Sequence, residues 1–197
     1  MLGNGRIGVA RTVADRDVAI LRLIHVNKLA HVSPERLIAS AKRMADVGVA
    51  LTVLPSTDLF LMGRDRDHGH TRGVTRAHEL LGHGVNCSLS SNNVLNPFTP
   101  FGDCSLIRMA NLNANICHIS GSELTTECFN MVTTRSAKLM NIADYGVEIG
   151  KAADLAVIDA PSAADAVAEL SPVLMAFKGG RQTMTRAPAE LHRPENG

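Results

Sequence analysis

Residues 133–159, TTRSAKLMNIADYGVEIGKAADLAVID, hold the pattern on which the fold assignment turns. Residues 134–140 are good helix formers, and Asn141 can end the helix they predict. Gly146 and Gly150 follow, four residues apart, around Val147 and Ile149. Glycine allows the positive φ of a turn, and the apolar alternation between the two predicts one edge strand. The run from Ala153 to Asp159, ADLAVID, then turns apolar in the manner of a buried strand.

Upstream, the chain alternates strand and helix signals. Residues 6–10 (RIGVA) and 18–24 (VAILRLI) are two apolar runs competing for one strand position, the second leading directly to His25. Ser33 and Pro34 have the chemistry of an N-cap and first helical residue. Leu37, Ile38, Ala41, Met44 and Ala45 mark the apolar face of that helix, and Gly48 stops it. Residues 49–54 read as a fully buried parallel strand closed by Pro55. Residues 56–72 read as a long loop, polar after Met62, with His68 and His70 spaced as an HxH pair inside a charged cluster. A lone pair in such a loop is a weak metal signal. A helix over 75–81 and a strand over 85–89 follow, with Ser90, Ser91, Asn92 and Asn93 at the end of the strand. A two-proline loop spans 96–103, and helices are expected over 105–119 and 123–140. A short helix over 162–170 precedes a hairpin of residues 173–178 and 182–185 around Gly179-Gly180. The tail from Ala187 carries two prolines and few apolar residues. Repeated βα units imply a parallel sheet.

Composition narrows the classes. Apolar residues make up 45% of the 197 and charged residues 20%, as in ordinary globular chains rather than disordered ones. The net charge of +1 and the absence of Trp argue against a nucleic-acid or anionic-membrane surface. No apolar run approaches the roughly 20 residues of a membrane span. Cys87, Cys104, Cys117 and Cys128 lack CxxC spacing, so buried reduced thiols in a cytoplasmic protein are expected. No secretory leader is recognisable in the first residues.

The 133–159 stretch resembles the C-terminal signature of the amidohydrolase superfamily. The order RIGVA, HVNKLAH (25–31), LTVLPSTDLFLMGR (51–64) and RGVTRAHELLGHGVNCSLSSNNVLNPFTPFGD (72–103) resembles its cytosine deaminase-like branch. The resemblance implies an α/β fold: a partial TIM-type (β/α) barrel, its last strands and helices, over residues 1–145. A small β-sandwich segment with a frayed tail is implied for 146–197. It implies hydrolysis of a non-peptide C–N bond in a cyclic or linear amide or amidine, with a divalent metal, zinc or iron, in the complete enzyme. His25 falls at the family's polarising histidine and Asn92 at its metal-binding aspartate. Asn93 falls at a second acid, and Phe98 at an aromatic lining the substrate pocket. Asn92 carries no charge and accepts no proton at neutral pH.

A full barrel takes about 250 residues. The expectation is therefore a C-terminal fragment or split half of such a hydrolase. Its partners are a small nitrogenous substrate and either a chain with the remaining strands or further copies of itself. The HxH strand and its acid have no counterpart here, so residues 1–197 alone are not expected to hold the metal. The competing expectation is a non-catalytic remnant or binding subunit.

Overall fold

The computed structural model describes residues 9–10, 22–23 and 26–192. Its first sheet has the order β1 (Val9–Ala10), β2 (Arg22–Leu23), β3 (Ala50–Val53), β4 (Cys87–Leu89). β2 pairs parallel with β3, and β3 parallel with β4, whereas β1 lies antiparallel on the outer side of β2. The two early apolar runs therefore do not compete. The second supplies the parallel strand and the first an antiparallel edge.

A parallel pair needs a crossover long enough to return the chain to its starting edge. Between β2 and β3 this is a 3₁₀ turn at Asn27–His31 and helix α1 (Pro34–Asp46). Ser33 caps α1 by accepting from the Arg36 amide, and Leu37, Ala41 and Met44 form its buried face. Ile38, expected on that face, is exposed. Between β3 and β4 run α2 (Pro55–Leu61) and α3 (Ala77–Leu81). Helix α2 falls in a stretch expected to be loop. Pro55 opens a helix as well as closing a strand, because a first-turn residue needs no N–H.

After β4 come α4 (Leu106–Ile116), α5 (Ser122–Val132) and α6 (Thr134–Leu139). The single helix expected over 123–140 is broken at Thr133, whose φ of −125° and ψ of −99° are not helical. Thr133 Oγ1 donates to the Phe129 carbonyl and Ser136 to that of Met131, side-chain bonds that compete with a continuous helix. Asn141 ends α6 at φ 57°, as its residue type predicts.

Gly146 and Gly150 do have positive φ, yet residues 147–149 form no strand, and Val147 and Ile149 are exposed. The alternation there finds no pairing strand among the described residues. β5 (Leu155–Ile158), α7 (Ala163–Ala168), β6 (Val173–Lys178) and β7 (Arg181–Thr185) complete the chain. The strands form one antiparallel sheet in the order β5-β6-β7, with the hairpin turning through two positive-φ glycines. β5 was expected to be buried, but Leu155 and Val157 are exposed because no second layer of described residues covers them. Helix α7 packs on α4 and α5, and Asn111 Nδ2 donates to the Val167 carbonyl at 2.8 Å.

The core lies on one face of the parallel sheet. Leu51, Val53, Cys87 and Leu89 project into a cluster with α1, α3, α4, α5 and Val167 of α7. Alternation along the strands sends Thr52 and Ser88 to the other face, where their hydroxyls are 2.8 Å apart and both are buried. All four cysteines are free. Cys87 and Cys128 are buried as expected, but Cys104 is exposed on the loop before α4 and Cys117 only half-buried.

Leu51→Ala is expected to cost about 2–5 kcal/mol in denaturant unfolding, since its side chain is fully buried in the sheet core. Val147→Ser is expected to change stability by less than about 0.5 kcal/mol, as an exposed residue outside any sheet does. A pH dependence follows from His78 in α3, whose Nδ1 is buried with no hydrogen-bond partner among the described residues. Burial lowers its pKa from 6.5, partly opposed by the charge of Glu79. The unfolded chain then takes up the proton first, so the stability held above pH 6.5 is lost as pH falls toward the folded value. His78→Gln is expected to flatten that acid limb, measured as unfolding free energy against pH.

Candidate functional site

Because β3 and β4 run in the same direction, both release the chain at one edge of the sheet. In parallel α/β architectures this carboxyl edge is where ligands bind. The edge is built from the start of α2 and the loop after β4. The Ser90 amide donates to the Val53 carbonyl at 3.0 Å, extending the ladder by one bond before the strands separate. Beyond it, Ser91, Asn92 and Asn93 leave the sheet.

Asn92 sits at φ 60° with its side chain exposed, and its amide lies 3.4 Å from Ser90 Oγ. Asparagine is among the few residues that occupy this left-handed region readily. Asn93 is exposed beside it. The two-proline loop returns toward the sheet at Thr99. Its turn is held by Asn96, whose Oδ1 accepts from the Phe98 and Thr99 amides at 3.0 Å each. That turn leaves the Phe98 ring exposed rather than in a core. Gly102 has φ 124° and a Cβ there would lie 3.0 Å from Val94, so the loop is closed at a position made for glycine. Asp103 accepts from the Ser105 amide and pairs with Arg108 at 2.9 Å, anchoring the loop to α4.

The structure thus brings Asn92, Asn93 and the Phe98 loop to one edge. His25 lies outside the described residues. His68 and His70 do not converge. His68 Nδ1 meets Asp67 Oδ1, and His70 Nδ1 meets the Gly63 carbonyl, both on an exposed loop. Arg64 at the base of that loop stacks 4.4 Å above the Phe60 ring, and Phe60 meets Phe101 edge to face at 6.1 Å.

Two residues at this edge escaped sequence reasoning. Thr57 and Asp58 are 1% and 2% exposed in the first turn of α2. Asp58 is the one buried carboxylate among the described residues. The signal was present in Pro55-Ser56-Thr57-Asp58, a helix-opening composition that reads as loop when the proline is taken only as a strand stop. As metal donors, the described residues fall short. No three His, Cys, Asp or Glu side chains among them gather to hold an ion, and Asn92 offers one neutral carbonyl oxygen.

The family described as "Amidohydrolase family" matches residues 8–184 of the chain. A pterin deaminase of Rhizobium rhizogenes is 31% identical over 140 residues, 69% of this chain and 31% of that protein. An N-isopropylammelide isopropyl amidohydrolase of a Pseudomonas species is 28% identical over 104 residues, 52% of this chain and 26% of that protein. Among solved structures, the 5-methylcytosine deaminase of Klebsiella pneumoniae liganded with 5-fluorocytosine superposes with a TM-score of 0.80. It is 25% identical, over 89% of this chain and 43% of that one. The chain therefore spans about a third or less of the curated relatives it matches.

The left-handed backbone at Asn92 is costly for a β-branched residue. Asn92→Val is expected to cost about 1–2 kcal/mol, read by thermal unfolding.

Proposed function

This chain belongs to the amidohydrolase family, and on that premise we propose that it serves a deaminase-like hydrolysis of a C–N bond other than a peptide bond. Its substrate class is a planar nitrogenous compound with an exocyclic amine or amide. Relatives named as deaminases of pterin and 5-methylcytosine support that class. The carrying observation is the shared carboxyl edge of β3 and β4, with Asn92, Asn93 and the Phe98 loop leaving it together.

In the overall reaction water adds to the carbon bearing nitrogen, a C–O bond forms, the C–N bond breaks and the leaving nitrogen takes a proton. His25, next but one after β2 in the chain, has two distinct ring nitrogens with which to polarise the substrate or hand on that proton. The amides of Asn92 and Asn93 each offer a donor and an acceptor to the edge of a heterocycle. Phe98 offers its ring face to a flat substrate. The donors among the described residues do not fit a metal, and no step here is routed through one.

The chain would work as the C-terminal part, or a split half, of a (β/α) barrel, with residues 146–197 contributing to a sandwich. β1 and β4 are the outer strands of the described sheet, the places where a companion chain or a second copy could add strands. We place the protein in the cytoplasm, in keeping with four unpaired cysteines. No helix of the described residues is long and apolar enough to cross a membrane. A second reading, a binding subunit that keeps the scaffold without the chemistry, is favoured by the neutral amides at 92 and 93.

One assay separates the two. The protein is isolated from its source cells with whatever co-purifies, and ammonia release is followed on aminopyrimidines and pterins. The hydrolase reading expects release, and a drop in kcat/KM of about 10²-fold or more in His25→Asn. Saturable binding of the same compounds with no release by any preparation identifies the binding subunit.

A further inference from the structure

We propose that Thr57 is a positioning residue for the loop at the sheet's carboxyl edge, holding the strand end that carries Asn92 and the turn that carries Phe98 in one fixed relation. Its Oγ1 donates to the Ser91 carbonyl at 3.3 Å and lies 2.5 Å from Thr99 Oγ1. Thr57 and Thr99 are each 1% exposed, so water does not compete for these groups. A hydroxyl has one proton to give and lone pairs to accept with. With the Thr57 proton committed to Ser91, the Thr99 proton goes to Thr57. The chain of bonds therefore runs in one direction, from Thr99 through Thr57 to Ser91.

This assigns unequal roles to two residues of the same type. Removing the Thr57 hydroxyl strands a buried donor at Thr99 and a carbonyl at Ser91, in two separate segments of the loop. Removing the Thr99 hydroxyl leaves Thr57 still bonded to Ser91 and strands only a lone pair. Thr57 belongs to α2, which is fixed to β3 through Pro55 and Leu54, so it refers both loop segments to the sheet itself.

The proposal rests on the reading of this edge as a substrate site, but its test does not require turnover. Amide hydrogen exchange is measured on the full chain, as isolated, for the wild type, Thr57→Val, Thr57→Ser and Thr99→Val. Exchange of residues 90–101 is expected to rise at least tenfold in Thr57→Val, with amides of β3, β4 and α1 within twofold of wild type. Thr57→Ser, which keeps the hydroxyl, is expected to restore wild-type exchange, and Thr99→Val to give a smaller rise than Thr57→Val. If the valine variant does not fold, Thr57→Ala against Thr99→Val carries the same comparison. Uniform acceleration of loop and core, no rescue by serine, or a larger effect at Thr99 overturns the proposal. An absence of ammonia release with the loop response intact counts against the hydrolase reading alone.

Discussion

The parallel pairing of β3 with β4 is the constraint from which the rest follows. Two strands in the same direction cannot be joined by a turn, so helices must carry the chain back across one face. Those helices bury Leu51, Val53, Cys87 and Leu89 and form the one described core. The same constraint makes both strands end at one edge. Ser90 continues the ladder by a single bond to Val53, and the segments at 54–58 and 90–93 then start side by side. The proposed site is thus a consequence of strand direction before it is a matter of any side chain.

Polar groups inside such a structure must find partners, because a buried hydroxyl or amide without one costs about 1–3 kcal/mol. Thr52 with Ser88 on the sheet and Thr57 with Thr99 at its edge meet this demand pairwise. Asn113, fully buried in α4, lies against the thiols of Cys128 and Cys117. Burial pushes the Cys87 thiol to about 12, and those of Cys117 and Cys128 to about 11, the last partly opposed by its contact with Asn113. At neutral pH these three are protonated and weakly nucleophilic.

What the sequence made legible were features with strong local causes. The cap of Ser33, the buried strand at 49–54, the glycine hairpin and the end of α6 at Asn141 each depend on residues within a turn of one another. The positions of Asn92 and Asn93 were legible because a strand end can be counted from its apolar run. What was not legible depended on neighbours distant in the chain. Val147 and Ile149 alternate as a strand does, but alternation makes a strand only where another is present to bond it. Helix α2 was hidden by a proline that serves two elements at once. Thr57 gains its importance from Ser91 and Thr99, 34 and 42 residues away.

The mismatch between pattern and exposure has a direction. β5 has the composition of an interior strand and stands exposed at Leu155 and Val157, as do Val147 and Ile149 before it. Leu95, Phe98 and Phe101 are likewise exposed, on the loop that borders the carboxyl edge. Leaving such side chains in water costs roughly 25 cal/mol for each Å² of apolar surface that could be covered. A sequence suited to isolation would place polar residues there, as it does over the charged loop from Arg64 to His70. The apolar choice at these positions supports the proposed companion surface, whether from other strands of the same barrel or from a second copy. It also bears on the neutral amides. Asn92 and Asn93 carry no charge, and the one buried carboxylate described at this edge is Asp58 in the first turn of α2. On the proposed reading, catalysis and association are one question for this chain, because the apolar side chains exposed at Leu95, Phe98 and Phe101 border the proposed site.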